Sequence, residues 1–193
     1  MFRSRLVPAV AAVGILLLAG CAPTPAPSST PSSEASESET PSAEPTQEPQ
    51  SFVANVPTDC AAVGTAASRA DTVDQLNLQG DGVDFVRPVP EGSTLLLGCD
   101  WFAGDATGVL LLISEVDPAA AEAYVATLPD QGYTCVTGDV GNPVCQMVTP
   151  DSQYPVDTVE TITSREDIWI YSSATNIDAD MLLSDLNVQI WGN

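Results

Sequence analysis

The stretch Thr94–Glu115, TLLLGCDWFAGDATGVLLLISE, decides the fold. Thr94 to Phe102 reads as a strand, because alternate side chains of a strand point to opposite faces. Leu95, Leu97, Cys99 and Trp101 then share one face, and Leu96, Gly98, Asp100 and Phe102 the other. Gly104-Asp105-Ala106-Thr107-Gly108 is a turn. Val109 to Glu115 is the partner strand, with Val109, Leu111 and Ile113 on one side and Leu110 and Leu112 on the other. A strand apolar on both faces must be covered on both, which predicts that this hairpin lies at the centre of a sheet.

Working outward, Asp117-Pro118 is a helix start, with a capping carboxylate followed by proline at the first helical position. The helix is expected to run to about Leu128, burying Ala120, Ala121, Tyr124, Val125 and Leu128. Tyr133 to Thr137 and Val144 to Val148 read as one hairpin. Val156 to Thr163 and Asp167 to Ser173 read as another, around Ser164-Arg165-Glu166. Asp178 caps a last helix whose apolar stripe is Ala179, Leu182, Leu183, Leu186 and Ile190. Upstream, Thr58 or Asp59 caps a short helix through Cys60, Val63 and Ala66. Asp71 to Asp84 reads as loop with an extra turn of helix, and Val83 to Val89 as an edge strand ended by Pro88 and Pro90. The expected class is α+β: an antiparallel or mixed sheet of five to seven strands with helices packed on it. Two strand-strand-helix units, near 94–130 and 155–191, superpose at an offset of 61 residues. Duplication and convergent α+β grammar both account for that.

The beginning of the chain has a different character. Arg3 and Arg5 precede the apolar run Leu6–Leu18 and the small residues Ala19 and Gly20. This is the order of a secretory signal, and the run is short of the roughly 20 apolar residues a spanning helix needs. Leu18-Ala19-Gly20-Cys21 resembles the lipobox of bacterial lipoproteins at every position. That resemblance implies diacylglyceryl transfer to the Cys21 thiol and cleavage between Gly20 and Cys21. Two acyl chains give stable membrane anchoring where one gives only reversible attachment. Residues 1–20 are therefore expected to be signal peptide. Residues 21–51 are expected to be the lipidated cysteine and a disordered tether: Ala22 to Ser51 holds seven prolines among thirty residues, mostly with Ser, Thr, Glu and Ala. Residues 52–193 are expected to be a single disulfide-bonded domain on the extracytoplasmic face of the plasma membrane.

That domain carries 21 acidic residues against Arg69, Arg87 and Arg165, a net charge of −18. Such a surface repels phosphate backbones, which excludes nucleic acid as a partner. Cys60, Cys99, Cys135 and Cys145 are an even set in an exported chain, so disulfides are expected. Three connectivities are possible; the favoured one is Cys60–Cys99 with Cys135–Cys145, whose members flank a Gly/Asn/Pro turn. The thiols are too scattered for a Cys-x-x-Cys redox pair, and no histidine completes a zinc site. No cofactor or metal is assigned.

The order Cys60, then Cys99-Asp100-Trp101, then Gly132-Tyr133-Thr134-Cys135 and Cys145 resembles small uncharacterised lipoproteins of high-GC Gram-positive bacteria. The resemblance implies a helix bearing the first cysteine, a strand bearing Cys-x-Trp, and Trp101 packed on or near the first disulfide.

Chemistry is sparsely signalled. The chain has no Lys and no His, so Ser-His, Cys-His and Ser-Lys nucleophile schemes are closed. Asp71-Thr72-Val73 and Asp157-Thr158-Val159 echo the paired Asp-Thr-Gly loops of aspartic proteases, with Val in place of Gly at both. A carboxylate-dependent hydrolase needs two acids across a cleft, and 21 acids leave the pair unspecified. Asp81 with Asp84, and Asp178 with Asp180, are the closest calcium-like clusters, and capping or turn formation explains both. Trp169 and Tyr171 share one strand face. Exposed, they are the candidate binding residues, able to stack on sugar rings or a peptide; covered by a helix, they are core. The expected function is a non-enzymatic binding or interaction module for an unknown surface ligand. The alternatives are an accessory envelope lipoprotein acting through contacts with an envelope protein, and the hydrolase.

Overall fold

The computed structural model describes residues 53–192. The expected signal peptide, the Cys21 lipid site and the 21–51 tether lie outside the described residues. Three helices flank one sheet: α1 (Ala66–Asp71), α2 (Pro118–Val125) and α3 (Asp180–Trp191). The strands are β1 (Asn77–Gly80), β2 (Thr94–Ala103), β3 (Thr107–Glu115), β4 (Thr134–Thr137), β5 (Pro143–Pro150), β6 (Asp157–Arg165) and β7 (Ile168–Thr175). They form a seven-stranded sheet in the order β1-β2-β3-β7-β6-β5-β4. Every neighbouring pair is antiparallel. The class is α+β, as the alternation of strand and helix signals predicts.

The most apolar strands take the middle. β7 is the central strand and β3 lies beside it. Val109, Leu111 and Ile113 of β3 join Ile168, Ile170 and Ala174 of β7 under α3. Leu110 and Leu112 join Trp169 and Tyr171 on the opposite face, under α2. β2 is one place in from the edge, so only half of the hairpin expected at the centre is there.

A bulge corrects the face assignment in β2. Leu95 pairs with Ser114 and Leu97 with Ile113, leaving Leu96 as the extra residue. An inserted residue reverses the alternation. Leu97, Cys99 and Trp101 therefore pack towards α3, while Leu95 is carried to the α2 face beside Leu112 and Trp169.

Three other expectations change. The first helix is two pieces. Asp59 caps a turn over Cys60–Ala62, Gly64 then adopts φ +65°, and Thr65 caps α1 with Ser68 closing a capping box. Residues 83–89 form no strand. The edge strand is β1, inside the stretch expected to be loop. Residues 81–93 instead run as a strap over the α2 face, where Pro88 O accepts a hydrogen bond from Trp169 Nε1 at 3.1 Å. Pro88 and Pro90 lack the N–H groups an edge ladder would use. The strap starts hard against β2: a Cβ at Gly98 would collide with the carbonyl of Asp81, so that crossing requires glycine. Third, α2 stops at Val125, although Leu128 beyond it is still fully buried.

The offset of 61 pairs Leu111 with Ser172 across the β3–β7 ladder, so the strands obey a local two-fold. A two-fold normal to the sheet would place both helices on one face. α2 and α3 lie on opposite faces, so the strand-strand-helix unit is not repeated as a whole.

Both favoured disulfides are present. Cys60–Cys99 joins the first turn to β2 across 39 residues, and Cys135–Cys145 joins directly paired positions of β4 and β5. Cys99 and Trp101 lie in one buried cluster. The N-terminal pieces are also lashed to α3. Gly64 N–H donates to Gln189 Oε1 at 2.8 Å, Gln189 Nε2 donates to Ala62 O at 2.7 Å, and Thr65 Oγ1 donates to the Asp185 carboxylate. That hydroxyl and Ser68 hold the Asp185 carboxyl below its ordinary range. Among the described residues no helix is long and apolar enough to cross a membrane.

Candidate functional site

α2 covers only one end of its sheet face. Beyond Leu112 and Trp169 the face continues towards the β2–β3 turn as a bare polar strip. Strand register aligns its residues: Asn77 beside Phe102, Phe102 beside Gly108, Gly108 beside Thr175, Thr175 beside Thr158 and Thr158 beside Thr149. Two concavities lie over this strip. One, of about 610 Å³, is walled by Phe85 and Phe102 and includes Asn77, Gln79 and Asp100. The other, of about 570 Å³, includes Tyr133, Met147, Thr158 and Glu160. They meet at Arg87, Ser173 and Thr175. Together they make a trough crossing the strands from β1 to β5. Five inter-strand steps of about 4.8 Å give it a length of roughly 24 Å.

Arg87 stands at the middle. The strap delivers it over the sheet, with its guanidinium carbon 5.1 Å from the Phe85 ring centre and 5.9 Å from that of Tyr171. Two such contacts hold the planar group in place. Nη1 donates to Val86 O at 3.1 Å, and Nε is buried without a partner. Among the described residues the one salt bridge is Arg69–Asp74, so Arg87 has no acidic partner within 4.0 Å. Arg165 is placed elsewhere, over the Trp191 ring.

On the far side of Arg87, Tyr133 Oη donates to Glu160 Oε2 at 2.7 Å. Burial first, and then the hydrogen bond to Glu160, pushes the Tyr133 phenol well above the ordinary tyrosine range. Burial and the same carboxylate push Tyr171 up, partly offset by Ser173 and Arg87. Both phenols keep their protons across the physiological range, so they serve as donors. Thr158 and Thr175 share a hydrogen bond of 2.8 Å. The strip offers fixed hydroxyls, a carboxylate held by a phenol, and a guanidinium with no acid of its own.

Trp169 and Tyr171 are not the exposed aromatics that a stacking role requires. They are 1% and 2% exposed. Tyr124 of α2 meets Trp169 edge to face at 5.5 Å, and the strap covers what α2 leaves. Their side chains are core, which corrects the candidate binding assignment. The accessible rings on this face are Phe85 and Phe102, 39% and 38% exposed. Phe102 lies against Gly108, where a Cβ would strike the ring. Its alternation with Trp101 was readable, but the trough beside it was not.

The acid pairs have local duties. Asp81 Oδ1 accepts from Val83 N–H at 3.1 Å and Asp178 Oδ1 from Asp180 N–H at 2.9 Å. Among the described residues no three His, Cys, Asp or Glu side chains converge as a metal site. Asp71 closes α1 and Asp157 opens β6. A further concavity of about 620 Å³ lies between α3 and β4–β5. It is lined by Val136, Val140, Val144 and Val188 and contains no arginine or lysine. No family model matches the chain, and no curated protein or solved structure matches it.

Proposed function

We propose that the chain is a lipid-anchored binding module of the extracytoplasmic membrane face, non-enzymatic, whose ligand lies along the trough on the α2 face. The lipobox resemblance at Leu18–Cys21 supports the anchor, and two disulfides suit an oxidising compartment. The observation that carries the binding role is Arg87. A half-buried guanidinium with no acidic partner among the described residues carries a desolvation cost that packing alone does not repay. A ligand that supplies the missing partner relieves that cost. Binding rather than catalysis is favoured because the chain has no His or Lys and because Glu160 Oε2, an acid within the trough, already accepts from Tyr133. The partners are then the membrane, through the lipid, and a component of the surrounding envelope.

Filling the trough tests this reading. Thr175→Trp places a ring in the middle of the strip, whereas Met181→Trp adds the same bulk to an exposed position of α3. Retention of the detergent-solubilised full-length protein on lipid-free envelope material should fall about tenfold for Thr175→Trp, a loss of about 1.4 kcal/mol, and should be unchanged for Met181→Trp. Equal retention of both variants contradicts the reading.

A further inference from the structure

Resting on that reading, we propose that the ligand is an oligosaccharide with a single carboxylate among neutral sugars, the carboxylate seated on Arg87 and sugar rings laid on Phe85 and Phe102.

The direction of the trough separates a glycan from a peptide. An extended peptide gains most of its affinity from main-chain hydrogen bonds to an exposed strand edge. This trough crosses β1, β2, β3, β7, β6 and β5, and between its ends β2, β3, β7 and β6 have paired neighbours on both sides. Their backbone groups are spent in the ladders, so a peptide lying across them meets side chains only. A sugar needs the reverse: hydroxyls satisfied by side-chain amides and carboxylates, and C–H faces set against aromatic rings. The β1–β2 end of the trough supplies these, with the amides of Asn77 and Gln79, the Asp100 carboxylate, and two half-exposed phenylalanines.

The charge pattern sets the acid content. A guanidinium pairs with a carboxylate through two parallel hydrogen bonds, and Arg87 has no such partner among the described residues. Ser173 and Thr175 flank it with hydroxyls. Asp100 on one side and Glu160 on the other oppose any further negative charge. One carboxylate fits the trough, and a charge on every ring does not.

Calorimetric titration of the full-length protein tests this with three tetrasaccharides: xylotriose bearing one glucuronate, neutral xylotetraose, and tetragalacturonate with four. The mono-uronate should bind tightest, and added salt should weaken it while leaving xylotetraose unchanged. Arg87→Met keeps the stem between the rings and removes the charge. It should weaken the mono-uronate about tenfold or more, as expected for a lost charge-assisted pair, and leave xylotetraose unaffected. Phe102→Ala should weaken both. Tighter binding of tetragalacturonate, or equal binding of charged and neutral tetrasaccharides, overturns the assignment of one carboxylate. Failure of all three to bind overturns the glycan assignment. The broader binding role then still stands or falls on Thr175→Trp in the envelope experiment. Should Arg87→Met unfold, the charged-against-neutral comparison and its salt dependence in the parent protein decide the question.

Discussion

Replacing Cys60 and Cys99 together by alanine should cost about 4 kcal/mol of stability, from the closure entropy of a loop near forty residues. This bridge is the one side-chain cross-link between the N-terminal pieces and the sheet among the described residues. The first turn contributes no fully buried residue and α1 buries only Ser68, so apart from the bridge the apolar hold comes from Val63 and Val73 beside them, both buried in the core under α3. Hydrogen bonds to α3, through Gln189 and Asp185, add to it. Removing the bridge also leaves a gap beside Trp101, which is 5% exposed and shares its cluster with Cys99. The same change at Cys135 and Cys145 releases a shorter loop and should cost about 3 kcal/mol at most, since β4 and β5 are already paired through four positions. Urea denaturation of the two double variants checks the order. A larger loss for Cys135/Cys145 contradicts this account of how the N-terminal pieces are held.

Trp169→Ala should cost about 3–5 kcal/mol, the range for emptying a buried aromatic site. Two consequences combine there. Tyr124 loses the ring that α2 packs against, and Pro88 O loses the donor that fixes the strap. The strap should therefore loosen before the rest of the fold, visible as faster amide exchange over residues 82–93 than in the parent protein. Phe102→Ala should cost about 1 kcal/mol or less, because a half-exposed ring gives up little buried area. The pair separates two kinds of aromatic on one face, those that hold the sheet and those that face the trough. A loss below about 1 kcal/mol at Trp169, outside the range for a core aromatic, contradicts the core assignment.

Much of the architecture was legible in local pattern. β2–β3, β6–β7, the Asp117-Pro118 helix start and the α3 stripe each come from residues close in sequence. A turn between Cys135 and Cys145 favoured that pair, and with it Cys60–Cys99, among three possible connectivities. What was not legible depends on partners far along the chain. The Leu96 bulge is a property of how β2 meets β3, and no residue type announces it. Val83-Asp84-Phe85-Val86 has strand-like composition, yet its backbone is a strap, because the β2 edge is taken by Asn77–Gly80 instead. Trp169 and Tyr171 could not be assigned until the layer above them was known, since a β-branched and aromatic strand reads the same whether covered or bare. The trough is the extreme case. It joins Asn77, Arg87, Phe102, Glu160 and Thr175, and only the β3–β7 pairing brings the two halves of that set together. One signal was present: Arg87 is one of three basic residues in a domain of 21 acids, and such a residue needs a partner or a reason.

The proposed anchored binding module requires lipid on Cys21, because a surface this acidic has no electrostatic affinity for anionic head groups. Mass spectrometry of the N-terminal peptide from membrane-extracted protein tests it most directly. The account requires a peptide that begins at Cys21 and bears a diacylglyceryl group. A peptide with an unmodified Cys21, whether or not residues 1–20 have been removed, contradicts it.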